Sequence, residues 1–298
     1  MKSVATVDEL KRKTASGGFG LTALWTLYTL TIRQHLHGRR WMVMTAGCLL
    51  AVGLAILIRA TAPKAPGPAI EFVLAYLLIP QALLPLIALV YASGIIHDEQ
   101  EEQTLTYLLV RPIPRWAIYV IKLLATMTTT VVLTAAFTAL MYAAIYVGAN
   151  TGGTNIPLRC AKTAGVHCLA VLCYCCLFGM MSLLTKWSLI VGVMYAAVVE
   201  GVLANLPFGI RLITIVYYTR LIAYRSMSFV VEQPGGGGSV DIAAEAWQYD
   251  PVDIPNLENH PSAQTCILIL AAASLVCTVV SAVICTRREF YVKTPEGT

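Results

Sequence analysis

The chain has 298 residues, of which 57% are hydrophobic and only 12% are charged. A soluble domain carries about twice that share of charged residues, and several apolar runs here are long enough to cross a bilayer. The composition excludes a soluble globular protein and predicts an all-α integral membrane protein. The net charge of +5 does not indicate nucleic-acid binding, because the basic residues flank the apolar runs and form no single patch.

The first 40 residues are predicted to form a cytoplasmic tail and an amphipathic helix. Apolar side chains recur along one helical face from Leu21 to Leu36, and Arg33, Arg39 and Arg40 gather toward the end. This pattern is typical of a helix that lies in the membrane interface. The alternative is a plain basic flank before the first span.

Residues 41–298 are predicted to form a transmembrane domain of six helices. The third is long for a hydrocarbon core about 30 Å thick, so it is expected to tilt or to project beyond the membrane. Only Cys160 is predicted to lie in a loop, and the other cysteines act as small apolar residues within spans, so no disulfide framework is expected. The spans are placed at about 41–60, 70–96, 117–148, 164–185, 188–206 and 263–285.

The densest run of charge, residues 97–112, lies between the second and third spans. It is predicted to be a short amphipathic helix that lies across the membrane face and contacts a partner. Its acidic first turn suits the helix dipole, its leucines recur at helical spacing, and Pro112 ends it. The alternative is a solvated loop. The acids are Asp98, Glu99, Glu101 and Glu102, and the leucines are Leu105, Leu108 and Leu109.

The distribution of lysine and arginine predicts the orientation of the chain. With the N-terminus in the cytoplasm, 14 of the 21 basic residues fall on the cytoplasmic side, as the positive-inside rule requires. Both termini and the central helix are then cytoplasmic, and residues 207–262 form an extracytoplasmic loop. The first part of this loop is aromatic and is expected to form short helices that dip into the interface. The second is acidic and glycine-rich, so it is expected to be flexible, or alternatively to bind an extracytoplasmic partner.

Polar residues inside the spans mark a candidate translocation path. Glu200 lies in the fifth span, and a carboxylate in hydrocarbon is a functional candidate by default. Its alternative role is that of a neutral or paired glutamate that locks two helices. A threonine stripe on the third span either continues the path or provides helix-packing contacts. The stripe consists of Thr126, Thr130, Thr134 and Thr138.

Motifs for nucleotide hydrolysis or metal chemistry are not found in the sequence. No phosphate-binding G-x-x-x-x-G-K-[ST] motif occurs, so no catalytic residue and no cofactor are expected in this chain. His167 and the nearby cysteines (Cys168, Cys173, Cys175 and Cys176) are of types that suit copper(I). Their spacing matches no defined site, so no metal is assigned.

The central segment resembles that of the ABC-2 type permeases, which are membrane subunits of a class of ABC transporters, mostly exporters. Gln103 stands where the family usually has glycine, and Pro114 where it often has serine. The run from Glu200 to Pro207 is similar to the subgroup that includes the permease used in maturing nitrous-oxide reductase. The residues that match the central motif are Glu101, Glu102, Thr104, Leu105, Leu108, Leu109, Arg111, Pro112, Arg115 and Lys122.

The resemblance implies a homodimer of six-span subunits in the inner membrane, together with two separate ATPase subunits that bind ATP and Mg. The central helix would be a coupling helix seated in a groove of the ATPase, a recurring mode of helix recognition. Movement of the helices would then open a path at the dimer interface, and membrane lipids would surround the dimer.

Two other classes of function remain open at this point. One is a membrane anchor or assembly scaffold without transport, which co-purification of an ATPase would distinguish. The other is a secondary transporter that uses Glu200 for protons. Six spans without a visible inverted repeat fit that class poorly, and it leaves the acidic central helix without a role.

Overall fold

A computed structural model describes residues 21–63, 65–95, 114–148, 155–185, 187–205, 209–227, 229–232, 239–242 and 260–287. The predicted N-terminal tail, the predicted coupling helix at 97–112 and the glycine-rich part of the 207–262 loop lie outside these residues.

The described residues form a helical bundle with one small antiparallel hairpin, in which Val231 pairs with Val240. The elements in chain order are α1 (Leu21–His37), α2 (Arg39–Thr61), α3 (Gly67–Glu71), a π-helical segment (Phe72–Leu83), α4 (Leu84–Ala92), α5 (Arg115–Tyr146), α6 (Ile156–Leu184), α7 (Ser188–Tyr195), a second π-helical segment (Ala196–Val202), two 3₁₀ turns (Leu203–Asn205 and Gly209–Ile213), α8 (Ile215–Ser226), β1 (Val230–Glu232), β2 (Ser239–Asp241) and α9 (Ala263–Arg287).

Six helical stretches in the described residues are long and apolar enough to cross a membrane. They confirm the predicted all-α membrane protein with six spans. The spans are Arg40–Thr61, Gly67–Ala92, Arg115–Tyr146, Ile156–Leu184, Ser188–Asn205 and Ala263–Arg287.

The prediction for the start of the fourth span was wrong, since the helix begins at Ile156 and not near residue 164. Cys160 therefore lies on a helix and not in a loop. Pro157 suits the first helical turn, where its missing N–H costs no hydrogen bond. The hydropathy pattern stopped short of this turn because it contains Arg159, whose charge is paired inside the bundle as described below.

The second and fourth spans form the centre of the bundle. In their most apolar stretches 56% and 67% of the residues are buried, against 22% in the first and fifth spans and 11% in the sixth. The first, fifth and sixth spans therefore present apolar faces outward, where lipid or another subunit can cover them.

A glycine allows the fifth span to approach the second span closely. A Cβ atom at Gly192 would lie 2.1 Å from Leu89 Cδ1, far inside contact distance. Glycine permits such approach because it has no Cβ, and small residues serve the same purpose at other helix interfaces in membranes.

The π-helical segment of the second span contains Pro80. In a π-helix each carbonyl pairs with the N–H five residues later, so the carbonyl of Ala75 faces a proline that has no N–H. The buried His167 Nε2 lies 2.8 Å from this oxygen, and because a carbonyl can only accept, the ring nitrogen is the donor. His167 thus replaces the missing backbone donor, while its Nδ1 contacts Thr138 Oγ1 at 3.0 Å.

Helix α1 packs along the third span. Tyr28 donates a hydrogen bond of 3.0 Å to Thr128 Oγ1, and His35 Nε2 lies 3.1 Å from Thr126 Oγ1. Trp25, Leu30 and Leu36 of the same helix are exposed, so α1 has apolar surface beyond that used against the bundle. Its location in the membrane interface stays a prediction.

Candidate functional site

The two ends of the bundle are called proximal and distal. The proximal end is where the second and third spans flank residues 96–113, and the distal end is opposite, around α8. At the proximal end the buried Lys122 donates from Nζ to the carbonyl of Ile95 at 3.1 Å. Cys285 Sγ lies 3.5 Å from the carbonyl of Arg115. The two attachments of the 96–113 segment are therefore fixed to the third and sixth spans.

The four threonines of the predicted path are fully buried on the third span. Three of them donate hydrogen bonds to their own helix, as Thr130 does to Thr126 O at 2.9 Å, and Thr130 Oγ1 also lies 3.4 Å from Cys175 Sγ on the fourth span. Together with the Thr126 and Thr138 contacts above, these interactions join the third span to α1 and to the fourth span. A role in a translocation path stays a prediction.

Helix α8 at the distal end lies beside the spans and not on top of them. Its Tyr217, Leu221 and Ile222 pack in one apolar cluster with Cys173 of the fourth span, which is well inside that helix. The end of α8 is fixed by Lys162, whose Nζ donates to the carbonyl of Ser226 at 2.9 Å. Helix α8 also runs alongside the last residues of the fifth span, since Ile215 contacts Glu200 and Arg220 contacts Asn205.

Glu200 lies on the π-helical segment of the fifth span and is fully buried. Its Oε1 accepts from the backbone N–H of Ile215 at 3.0 Å and its Oε2 from that of Val216 at 3.0 Å. Tyr195 donates to Oε1 at 3.1 Å. The carboxylate therefore satisfies the first N–H groups of α8, which have no partner within the helix, and its charge suits the positive end of the helix dipole.

Arg220 of α8 forms a polar node with the second and fifth spans. Its Nη1 donates to Asn205 Oδ1 at 2.9 Å and its Nη2 to Gln81 Oε1 at 3.2 Å. Gln81 Nε2 and Asn205 Nδ2 both donate to the carbonyl of Gly201, at 3.0 Å and 2.7 Å. Burial lowers the pKa of Arg220 from its ordinary value, yet an arginine stays protonated at physiological pH. We call Gln81, Gly201, Asn205 and Arg220 the distal node.

A second polar cluster surrounds Glu71, near the start of the second span. Glu71 is fully buried and pairs with Arg159 Nη2 at 3.1 Å. Tyr142 donates to Glu71 Oε1 at 2.5 Å and Tyr146 to Oε2 at 2.6 Å. The guanidinium of Arg159 also lies 5.4 Å from the centroid of the Phe229 ring, a distance typical of cation–π contacts. This cluster ties the second, third and fourth spans together at the distal end.

The cysteines of the fourth span form packing contacts with the sixth. Cys173 Sγ lies 2.9 Å from Ser274 Oγ, and Cys176 Sγ accepts from Thr278 at 3.4 Å. Among the residues described, no group of three or more His, Cys, Asp or Glu side chains is placed to hold a metal ion.

Glu200 could be singled out from the sequence, but the groups that surround it could not. Arg220 was assigned to a loop, and Gln81 lies within an apolar run. The available signal for Arg220 was the run of apolar residues on either side of it, which marks a buried helix. The coupling residues Asp98 to Pro112 lie outside the described residues, while Arg115 begins the third span.

The six apolar helices and the polar groups buried between them define a multi-pass helical membrane protein. The sequence model of the family described as ABC-2 family transporter protein matches residues 7–231. The chain therefore belongs to the ABC-2 transporter family, and it is a permease component of an ABC transporter. None of the curated proteins compared with the sequence matches it at a significant level. The family resemblance is confirmed, and the subgroup stays a prediction.

Proposed function

We propose that the chain is the permease subunit of an ABC exporter, and that it acts as a homodimer in the inner membrane with a separate ATPase subunit. The ATPase binds ATP and Mg and hydrolyses ATP, and the permease itself needs no cofactor. Binding of ATP moves the segment at residues 97–112, and the spans carry this movement to the distal end.

The observation that supports this proposal best is the attachment of that segment at the proximal end. Lys122, which matches the family motif, is buried and bonded to Ile95 at the end of the second span. A buried ammonium group is costly unless its donors are satisfied, so this contact is a specific one. It connects any movement of residues 97–112 to the second and third spans together.

The exposed apolar faces of the first and fifth spans support the proposed homodimer. Leu50 of the first span and Val202 of the fifth are 75% and 55% exposed. The buried Glu200 is two residues before Val202 on the same span. A second copy on these faces would place the polar groups of the distal end beside the dimer interface.

Charge substitutions on the leucine stripe are expected to remove the ATPase from the permease. Leu105→Asp with Leu108→Asp would place two carboxylates in a buried groove contact, at a cost of several kcal/mol. The variant should insert and dimerise normally but recover at most a tenth of the ATPase that co-purifies with the wild type in mild detergent.

The matched control carries the same two charges off the stripe, as Gln100→Asp with Gln103→Asp, and should keep its ATPase. Normal ATPase recovery with the stripe variant would contradict the coupling assignment. A wild-type permease that retains no ATPase at all would favour the anchor or scaffold function.

The proposed orientation places both termini in the cytoplasm and residues 207–262 outside. In a background without native cysteines, Gly236→Cys should react with a membrane-impermeant maleimide in intact cells. Gly297→Cys, near the C-terminus, should react only after permeabilisation. The reverse pattern would overturn the orientation, and with it the proposal that the 207–262 loop contacts an extracytoplasmic partner.

A further inference from the structure

A buried arginine at the distal end has no anionic partner in the described residues. Arg220 is 8% exposed, and the atoms that accept from it are the amide oxygens of Asn205 and Gln81. Both are neutral. Buried charges in proteins are normally paired, because neutral acceptors replace only part of the lost hydration.

The acidic group of the neighbouring fifth span, Glu200, is already engaged elsewhere. Both oxygens of Glu200 accept from the first N–H groups of α8, and Tyr195 adds a third donor. Its negative charge is therefore held at the end of the helix and does not form an ion pair with Arg220. Glu71, the other buried acid described, is paired with Arg159.

The two amides are held so that their oxygens face the guanidinium. Gln81 Nε2 and Asn205 Nδ2 both donate to the carbonyl of Gly201, which leaves Oε1 and Oδ1 directed at Arg220. They occupy the positions that the oxygens of a carboxylate or phosphate group would take. Asn205 is exposed whereas Gln81 is half-buried, so an incoming anion can reach the guanidinium from the Asn205 side by replacing the hydrogen bond of Asn205 to Arg220.

One edge of the guanidinium still has an unused donor. Arg220 Nε is buried and has no hydrogen-bond partner within the described ranges. Nε–H and Nη2 lie on the same edge of the planar group, and this edge is one that binds two oxygens of a carboxylate or phosphate side by side.

We propose that the distal node binds an oxyanion, either a carboxylate or a phosphate group, which displaces an amide oxygen from Arg220. The anion comes either from a free solute or from the headgroup of an anionic lipid. The node lies where the second span, the fifth span and α8 meet, so occupation of this site would hold the three elements together.

Thermal unfolding of the purified permease in a nonionic detergent tests the proposal. Unfolding midpoints are compared in sodium phosphate, sodium acetate and sodium chloride at equal ionic strength, and in chloride with phosphatidylglycerol or phosphatidylcholine added. We expect a rise of roughly 5 °C for the wild type at an anion concentration about 100 times its Kd. A response to phosphate or acetate identifies a free anion, and a response to phosphatidylglycerol alone identifies a lipid headgroup.

Three variants make the test specific to the node. Arg220→Gln should lose the response, and Arg225→Gln, on the same helix, should keep it. Asn205→Asp supplies a permanent carboxylate to Arg220, so this variant should unfold at a higher temperature than the wild type in chloride and should not respond further. An equal response in Arg220→Gln and wild type, or no wild-type response to any of the anions, would overturn the proposal. If Arg220→Gln does not fold, a full anion response in Asn205→Asp would overturn it.

Discussion

Replacing Glu71 with leucine is expected to destabilise the bundle by about 3–5 kcal/mol, as is typical when one partner of a buried ion pair is removed. Arg159 would lose its carboxylate, and Tyr142 and Tyr146 would lose the acceptor of their hydroxyl groups. The measurement is the free energy of unfolding in mixed micelles of increasing SDS fraction.

The double variant Glu71→Leu with Arg159→Leu is the control for this result. Replacing both members of a buried pair by apolar residues is often neutral or stabilising, so the double variant should recover the part of the loss that comes from the unpaired Arg159. Tyr142 and Tyr146 still lack their acceptor in both variants, so the double variant should be more stable than Glu71→Leu but less stable than the wild type. A double variant that is as unstable as Glu71→Leu would show that the pair is not the source of the effect.

Replacing Glu200 with glutamine is expected to loosen α8, although the two side chains have the same shape. The carboxylate uses both oxygens to accept from Ile215 and Val216, and glutamine offers only one oxygen. Its NH₂ group would face a backbone N–H, so one buried donor would be left without an acceptor at a cost of about 1–3 kcal/mol.

Hydrogen exchange of peptides that cover residues 209–227 measures this loosening. In Glu200→Gln these peptides should exchange at least tenfold faster, while peptides from 164–185 of the fourth span should keep their protection. Unchanged exchange near α8 would show that Glu200 does not hold the helix, and would return it to the role of a group that handles substrate or protons.

The six spans could be predicted from the sequence because hydrophobic length alone selects helices that cross a bilayer. Their polar contacts could not be predicted in the same way. Glu71 and Arg159 are 88 residues apart in sequence, and only the packing of the spans brings them together. The same holds for Gln81 and Arg220, which belong to a span and to a segment that was predicted as a loop.

The two π-helical segments were also beyond the sequence analysis. Hydropathy registers that a segment is apolar but not how its backbone is hydrogen-bonded, so Pro80 could only be read as a break or a kink. The π-helical segment around Pro80 depends on a hydrogen-bond donor from another helix, His167. In the sequence this histidine is marked only by its position inside an apolar run. Glu200 was found because a single carboxylate stands out in such a run, but its acceptor role depends on the position of α8.

The contact between Lys122 and Ile95 has a mechanical consequence. It joins the chain just after the second span to the third span, so displacement of the proximal end of one of these spans would also displace the other. The two spans would then move together at this end. Because the second span also carries Glu71 and Gln81, such a joint displacement would reach both distal polar clusters at once.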